Sequence, residues 1–130
     1  MTPVARHSVA TPFLKVPGSA LVVAILADKW SIPVIHSLAR GTKRTGVLRR
    51  ELAGVSQKML TQTLRRLEKH GLIERSVFAV VPPRVEYRLT ALGESINEPL
   101  AQLCEWTKRN GTELQLSMAG TRRRGRTVPP

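Results

Sequence analysis

The side chains best suited to recognition chemistry lie between residues 58 and 69, in a stretch with helical spacing. Arginine offers paired donors that read a guanine edge, an amide side chain offers one donor and one acceptor that read an adenine edge, and lysine ammonium groups contact phosphates. The stretch has an apolar stripe of Leu60, Leu64 and Leu67, opposite a polar face made of Lys58, Gln62, Arg65 and Lys69, with Thr61 on its flank. This pattern predicts an amphipathic helix whose outer face binds nucleic acid. For a helix taken alone, a plain solvated surface is the alternative.

The elements around this helix favour recognition over the solvated alternative. Residues 45–52 (TGVLRREL) predict a short preceding helix, and the following AGV makes a tight turn. Ser56 is the predicted N-cap of the longer helix, because its hydroxyl can accept from the first free backbone amides. That helix is expected to end at His70, with Gly71 as the stop. Two helices joined by a tight turn predict a helix-turn-helix.

Two further helices are predicted before this motif. Residues 20–27 (ALVVAILA) are almost wholly apolar and need burial on most sides, and residues 30–39 suit a second helix. If Ser31 caps the second helix, Pro33 falls in its first turn, whereas Asp28 as the cap would make Pro33 a kink. The sequence leaves both arrangements open.

After Gly71 the apolar period changes from helical to two. The runs LIERSVFAV and VEYRL, separated by VPPR, predict a β-hairpin. Thr90 is expected to cap a last helix with an apolar stripe from Leu92 to Thr107. The predicted fold class is therefore mostly α with a small β-hairpin (α+β), arranged as a winged helix-turn-helix.

The predicted domain organisation is one domain with two tails. Residues 1–17 are expected to form a flexible arm and residues 18–110 the winged-helix domain. Residues 111–130 are expected to be a basic tail. This tail is either solvated or grips phosphates without sequence preference.

The positive charge is concentrated in the predicted helix-turn-helix. The chain of 130 residues carries a net charge of +12, and residues 40–75 hold ten basic against three acidic residues. Such an excess indicates a polyanion or a membrane surface as partner. No apolar run approaches the roughly 20 residues that span a bilayer, so we expect a cytoplasmic protein with no membrane partner. Aromatic residues make up 4%, which disfavours base stacking on single strands.

Residues for catalysis or metal binding are scattered. The single cysteine, Cys104, has no neighbours at zinc-ligand spacing, and no nucleophile is paired with a base. A cysteine on an apolar helix is usually a small hydrophobe, with a redox role as the alternative. We therefore expect no catalytic site, no metal, no cofactor and no enzymatic activity.

Several motifs in this order give the sequence a family resemblance. The segments DKWSIPVIHSLARG, ELAGVSQKMLTQTLRRLEKHGLIER, VPPRVEYRLTALG and PLAQLCEW make the region from Ala20 to Trp106 similar to the HxlR-type winged-helix transcriptional regulators of bacteria. The resemblance implies a homodimer on a pseudo-palindromic operator, with the first and last helices at the dimer contact. The apolar excess of those two helices fits this expectation.

The resemblance also has limits. Asp28 stands where the family has glycine, and Thr45 where many members have phenylalanine. Many members carry a sensing cysteine before the first helix, and Pro17 occupies about that position. Thiol sensing is therefore not expected.

Roles for individual residues complete the hypothesis. Base reading is assigned to Arg65 and Gln62. The residues of the recognition helix expected nearest the DNA are Ser56, Gln57, Lys58, Thr61, Gln62 and Arg65. Phosphate contacts are assigned to Lys43, Arg44, Arg49 and Lys58, and a wing contact to Arg84, which is otherwise a solvent-facing charge.

Two alternatives stay open. Trp30, Phe78 and Trp106 are core or interface residues, or else they line a pocket for an unidentified small-molecule effector. The rival to a sequence-specific regulator is a winged-helix module for nonspecific nucleic-acid or protein interaction. The operator, the target genes and the sign of regulation are not encoded in any motif.

Overall fold

The fold consists of five helices and three strands in a computed structural model that describes residues 12–124, with side chains up to residue 119. A 3-10 turn, Phe13–Lys15, precedes the first helix. The elements in chain order are α1 (Ser19–Ala27), α2 (Ser31–Leu38), β1 (Lys43–Arg44), α3 (Thr45–Glu51), α4 (Gln57–Lys69), β2 (Ile73–Phe78), β3 (Arg84–Leu89) and α5 (Ala91–Arg124). The predicted winged helix-turn-helix, mostly helical with a small sheet, is confirmed.

The sheet contains one strand more than the predicted hairpin. Strands β2 and β3 pair antiparallel from Ile73 opposite Leu89 to Phe78 opposite Arg84. The short β1 pairs antiparallel with β3, with Lys43 opposite Tyr87, so the strand order is β1-β3-β2. The strand β1 has only two residues, both basic, and therefore shows no alternation from which a strand could be predicted.

The core lies where α2, α3 and α4 meet the sheet. Apolar side chains from each element are almost fully covered, which is the main stabilising contribution in a domain of this size. The fully buried members are Val34, Ile35, Leu48, Leu60, Leu67 and Ile73. The three leucines predicted to anchor the recognition helix, including Leu64, are all in this core.

The N-cap residue of α2 is neither Ser31 nor Asp28, the two that the sequence left open. The helix begins at Ser31, so Pro33 lies in its first turn, and Trp30 is the N-cap residue without a side-chain cap bond. The Asp28 carboxylate instead accepts from the backbone N–H of Trp30 at 3.0 Å and from Ser31 Oγ at 2.9 Å. Asp28 thus holds the helix start from one turn outside it.

The end of α4 and the start of α5 are joined by tight backbone contacts. Gly71, with φ of 75°, follows α4, where the Leu72 N–H donates to Leu67 O at 3.0 Å and closes the helix. Thr90 caps α5 as predicted, since its Oγ1 accepts from the Gly93 N–H at 3.1 Å. A Cβ at Gly93 would lie 2.0 Å from Leu72 O, so glycine alone allows this approach.

The predicted arm and the predicted basic tail are each described only in part. Helix α5 continues through residue 110, the predicted domain boundary, as far as Arg124. Residues 12–17 of the predicted arm include the 3-10 turn, whereas residues 1–11 and 125–130 lie outside the described part. Among the described residues, no single helix is long and apolar enough to span a membrane. Helices α1 and α2 meet both criteria only when they are taken together, and they are bent by 93° relative to each other.

Candidate nucleic-acid interface

Helix α4 is anchored on one side and free on the other. Ser56 Oγ accepts from the Met59 N–H at 3.1 Å, which confirms the predicted N-cap. Leu60, Leu64 and Leu67 are at most 2% exposed. The predicted recognition residues Ser56, Gln57, Lys58, Gln62 and Arg65 are exposed, and Thr61 is half-buried. The leucines fix the helix to the core and turn its polar face outward.

The turn between α3 and α4 brings both helices to the same surface. Gly54 in this turn has φ of 95°, a conformation that favours glycine. Arg49 Nη1 on α3 donates to Gln57 Oε1 at 3.4 Å, and Gln57 Nε2 donates to Thr61 Oγ1 at 3.2 Å. These bonds set the orientation of the Gln57 amide and connect the two helices along their exposed side.

The cations of α3 and α4 are largely unpaired. Among the residues with described side chains, five of the six lysines and arginines on these two helices have no acidic group within 4.0 Å. All five are exposed, and they are Arg49, Arg50, Lys58, Arg65 and Lys69. The sixth, Arg66, pairs with Asp28. Unpaired, exposed cations on a protruding helix pair are the charges available to phosphates.

Two of these five cations were not assigned a DNA role from the sequence. Lys69 lies on the predicted polar face, but it is beyond the first turns of α4, where base contacts were expected. Arg50 directly follows Arg49, and the sequence gives no sign of which of the two faces outward. Both are exposed, and the structure therefore adds Arg50 and Lys69 to the candidate phosphate contacts.

The cations of the sheet are all paired. Arg84 Nε lies 3.2 Å from the Glu86 carboxylate, and its guanidinium stacks 4.4 Å from the Phe78 ring centroid. Arg44 Nε lies 4.0 Å from the same carboxylate. Arg88 pairs with Glu74, and Arg75 with Glu68 at 3.7 Å. Arg84, the predicted wing contact, is therefore paired with Glu86 and stacked on Phe78, and its side chain is 37% exposed.

Lys43, which was predicted to contact phosphate, lies in a cluster with Ser37 and Glu51. Its ammonium donates to Ser37 O at 3.0 Å and lies 3.3 Å from the Glu51 carboxylate, with its side chain 12% exposed. Glu51 also accepts from Ser37 Oγ at 2.5 Å and from Arg40 at 2.9 Å. The hydrogen bond from Ser37 and the charges of Lys43 and Arg40 lower the pKa of Glu51 despite its desolvation. This geometry makes Lys43 a link between β1, α2 and α3 and leaves it little access to phosphate.

The Asp28 carboxylate forms a second cluster, beside α4. Besides its bonds at the start of α2, it accepts from Thr63 Oγ1 at 3.2 Å and pairs with Arg66. Burial raises the pKa of Asp28, but the hydrogen bonds from Trp30, Ser31 and Thr63 and the charge of Arg66 outweigh it. The pKa therefore lies below its usual value of 3.8. Asp28 is ionised at neutral pH.

The three residues considered for an effector pocket lie in separate parts of the structure. Trp30 is buried in the core and lines a cleft of about 540 Å³ beside α4. Phe78 is at the end of β2, under Arg84. Trp106 lies exposed on α5, where it lines a different cleft. No shared pocket follows from this placement. Cys104 is half-buried on α5.

Metal-binding groups are equally dispersed. Within the described residues, no three histidine, cysteine, aspartate or glutamate side chains come close enough to hold a metal ion. The acids described above are occupied by arginine, lysine and hydroxyl partners. The interface is therefore built from cations and amides.

Comparison with known proteins agrees with this geometry. The family model for the HxlR-like helix-turn-helix matches residues 25–115. The HTH-type transcriptional regulator YtfH of Escherichia coli is 42% identical over 93 residues, covering 72% of this chain and 74% of YtfH. YkvN of Bacillus subtilis, another HTH-type transcriptional regulator, is 44% identical over 89 residues, covering 68% and 75%.

Solved structures show the same fold. The regulator ytfH from Salmonella typhimurium superposes with a TM-score of 0.71 at 38% identity, over 78% of this chain and 90% of that one. The redox regulator HypR in its oxidised form gives a TM-score of 0.66 at 34% identity, over 70% and 94%. The chain belongs to the HxlR-like helix-turn-helix family of DNA-binding transcriptional regulators.

Proposed function

We propose that the protein acts as a homodimer that binds a pseudo-palindromic DNA operator through two copies of α4. The observation that carries this proposal is a set of five exposed cations on α3 and α4 that have no acidic partner among the described residues, beside a helix fixed by three buried leucines. A helix of this kind enters the major groove with its N-terminal residues against base edges. Two symmetric copies would read half-sites about 34 Å apart on one face of the duplex.

Roles within the interface follow from exposure and pairing. Arg65 and Gln62, exposed in the middle of α4, are the proposed base readers. Ser56, Gln57 and Thr61 lie in the first turns of α4, where Gln57 is already oriented by Arg49. The proposed phosphate contacts are Arg49, Arg50, Lys58 and Lys69, with Arg44 and Arg84 able to contribute only if they exchange Glu86 for phosphate.

The dimer would be formed by α1 and α5. Leu21, Val23 and Leu26 on α1 are each more than 40% exposed, and α5 exposes Leu103 and Trp106 to a similar degree. Between the two helices lies an apolar groove of about 390 Å³. Covering this surface with a second copy would remove apolar area from water, which is the usual driving force for a symmetric interface.

Effector binding and thiol sensing are not part of the proposal. Trp30 and Trp106 line different clefts, and Phe78 lies under Arg84. Cys104 is the sole cysteine of the chain, and Pro17 stands near the position of the family's sensing cysteine. A DNA partner places the protein in the cytoplasm, and binding without chemistry requires no cofactor.

Selection from a library of random duplexes by the purified full chain tests the proposal. We expect enrichment of a duplex with two inverted half-sites, retained over a random duplex in gel shifts at moderate salt. Binding that ignores sequence at every salt concentration would instead support the rival nonspecific module.

A further inference from the structure

We propose that Asp28 is a positioning residue: it fixes the rotation of α4 relative to α1 and α2, and so sets the preference for the operator over other DNA. The inference rests on the proposed function of α4 as the operator-reading helix. It concerns a residue that lies beside that helix, with its side chain 13% exposed. Asp28 would act through Thr63 and Arg66.

One half of the link holds Asp28 to the helices before it. Asp28 is the C-cap residue of α1, and its N–H donates to Ala24 O at 3.2 Å. Its two carboxylate oxygens accept from the Trp30 N–H and from Ser31 Oγ, at the start of α2. Ser31 is fully buried. The carboxylate is therefore fixed in direction by groups from the core.

The other half of the link reaches α4. The oxygen Oδ2 that accepts from Ser31 also accepts from Thr63 Oγ1 at 3.2 Å and pairs with Arg66 Nη1. Thr63 and Arg66 each directly follow a proposed base reader, Gln62 and Arg65. A rotation of α4 that moved the readers would therefore break the contacts to Asp28.

This link supplies what the leucine stripe lacks. Apolar contacts stabilise α4 against the core but are not directional. Hydrogen bonds and ion pairs depend on angle and distance, and one in a partly buried site is stronger than one in water. Side chains that read bases must be held within about 0.5 Å and about 10–20° of the geometry that binds the base edge. Asp28 can impose this on α4 through its contacts with Thr63 and Arg66.

The principal experiment compares Asp28→Asn with the control Glu74→Gln in the full chain. Both changes replace a carboxylate by an amide of the same size, and Glu74 pairs with Arg88 on the sheet. The readout is the ratio of affinities for the duplex selected by the wild-type protein and for a random duplex. We expect Asp28→Asn to lower this ratio by at least about fivefold, comparable with losing one base contact, and Glu74→Gln to leave it within about twofold. An unchanged ratio in folded Asp28→Asn would overturn the proposal.

A double-mutant cycle tests whether Asp28 acts through Arg66. Arg66→Gln alone should lower the same ratio, and adding it to Asp28→Asn should cause less loss than the product of the two single effects. Independent, multiplying losses would show that Asp28 does not act through this pair. If Asp28→Asn does not fold, Thr63→Val, which removes one donor at constant volume, should lower the ratio in the same direction, and no change would overturn the positioning role.

Hydrogen exchange without DNA separates this inference from the proposed function. Asp28→Asn should increase exchange of the α4 amides more than that of the β2 amides, because the link to α4 is lost. If the wild-type protein selects no duplex, the proposed function fails, but exchange still decides on positioning. Equal exchange in α4 of the variant and the wild type would overturn the inference by itself.

Discussion

The helix-turn-helix and the sheet beside it are both rich in basic residues, but only one of them leaves its charges free. Five of six cations on α3 and α4 have no acidic neighbour within 4.0 Å among the described residues, whereas all five on the strands have one. Net charge along the sequence does not show which individual cations are paired. The comparison teaches that availability of a cation depends on which acids the fold places beside it.

The acids of the two regions also differ in position. Glu86 and Glu74 lie on the sheet next to the arginines that they neutralise. Asp28 lies beside α4, and Glu51 is the last residue of α3; both bind groups that connect these helices to the core. The carboxylates on the sheet thus neutralise cations that could otherwise contact DNA, whereas Asp28 and Glu51 hold α4 and α3 against the core. Four predictions test this contrast.

The largest effect is expected from Arg65→Ala. Arg65 is exposed and unpaired at the centre of α4, so its loss should cost about 1–3 kcal/mol on the selected duplex and relax preference at one base position. Gel shifts with duplexes substituted at single positions measure this. Equal losses on the selected and the random duplex would assign Arg65 to phosphate contact.

Lys58→Ala should have a smaller and uniform effect. An ammonium group that contacts phosphate contributes equally to all sequences, so affinity should fall alike on both duplexes. The slope of log affinity against log salt should decrease by about 1. Arg88→Ala is the matched control on the sheet, where the cation already pairs with Glu74, and its salt slope should stay unchanged. A larger change for Arg88 than for Lys58 would reverse the contrast.

Glu86→Gln should strengthen DNA binding slightly. Removing this carboxylate frees Arg84 and Arg44, and each new phosphate contact would steepen the salt slope by about 0.9. The gain is small because exposed ion pairs contribute at most about 1 kcal/mol and are readily exchanged. A salt titration on a random duplex measures it. A weaker affinity would mean that Glu86 instead positions Arg84 and Arg44 on the sheet for DNA contact.

The last prediction concerns the contribution of Asp28 to the free energy of unfolding and how it changes with pH. Its pKa is lowered from 3.8 in the folded state, so its contribution is present above that value and is lost as pH falls through the folded pKa. The difference in unfolding free energy between the wild type and Asp28→Asn should therefore stay constant from neutral pH to about pH 5 and shrink below 3.8. Urea unfolding followed by tryptophan fluorescence measures it. A difference that already disappears near pH 5 would contradict the lowered pKa.

Local signals allowed much of the fold to be predicted from the sequence. The leucine spacing, Ser56, Gly71 and Thr90 each act on neighbouring residues, and the structure confirms the cap, stop and stripe that they indicate. Strand β1 escaped prediction because it exists only through its pairing with β3, more than 40 residues away in sequence. Such pairing has no local pattern.

The site was less predictable than the fold. Residue type identified cations, but the engagement of Lys43 with Ser37 and Glu51 depends on how α2 and α3 pack. The link from Asp28 to Arg66 joins residues 38 positions apart. Aromatic type suggested a pocket for Trp30, Phe78 and Trp106, but it carries no information on whether they meet. Partners that are distant in sequence decided each of these outcomes.

Hydroxyl-radical footprinting of the wild-type protein on its selected duplex tests the central claim most directly. If two copies of α4 read inverted half-sites, cleavage should be reduced in two patches about 34 Å apart on one face of the duplex. Arg65→Ala should weaken both patches equally, because each half-site meets the same residue. A single patch, or protection spread evenly along the duplex, would contradict the account.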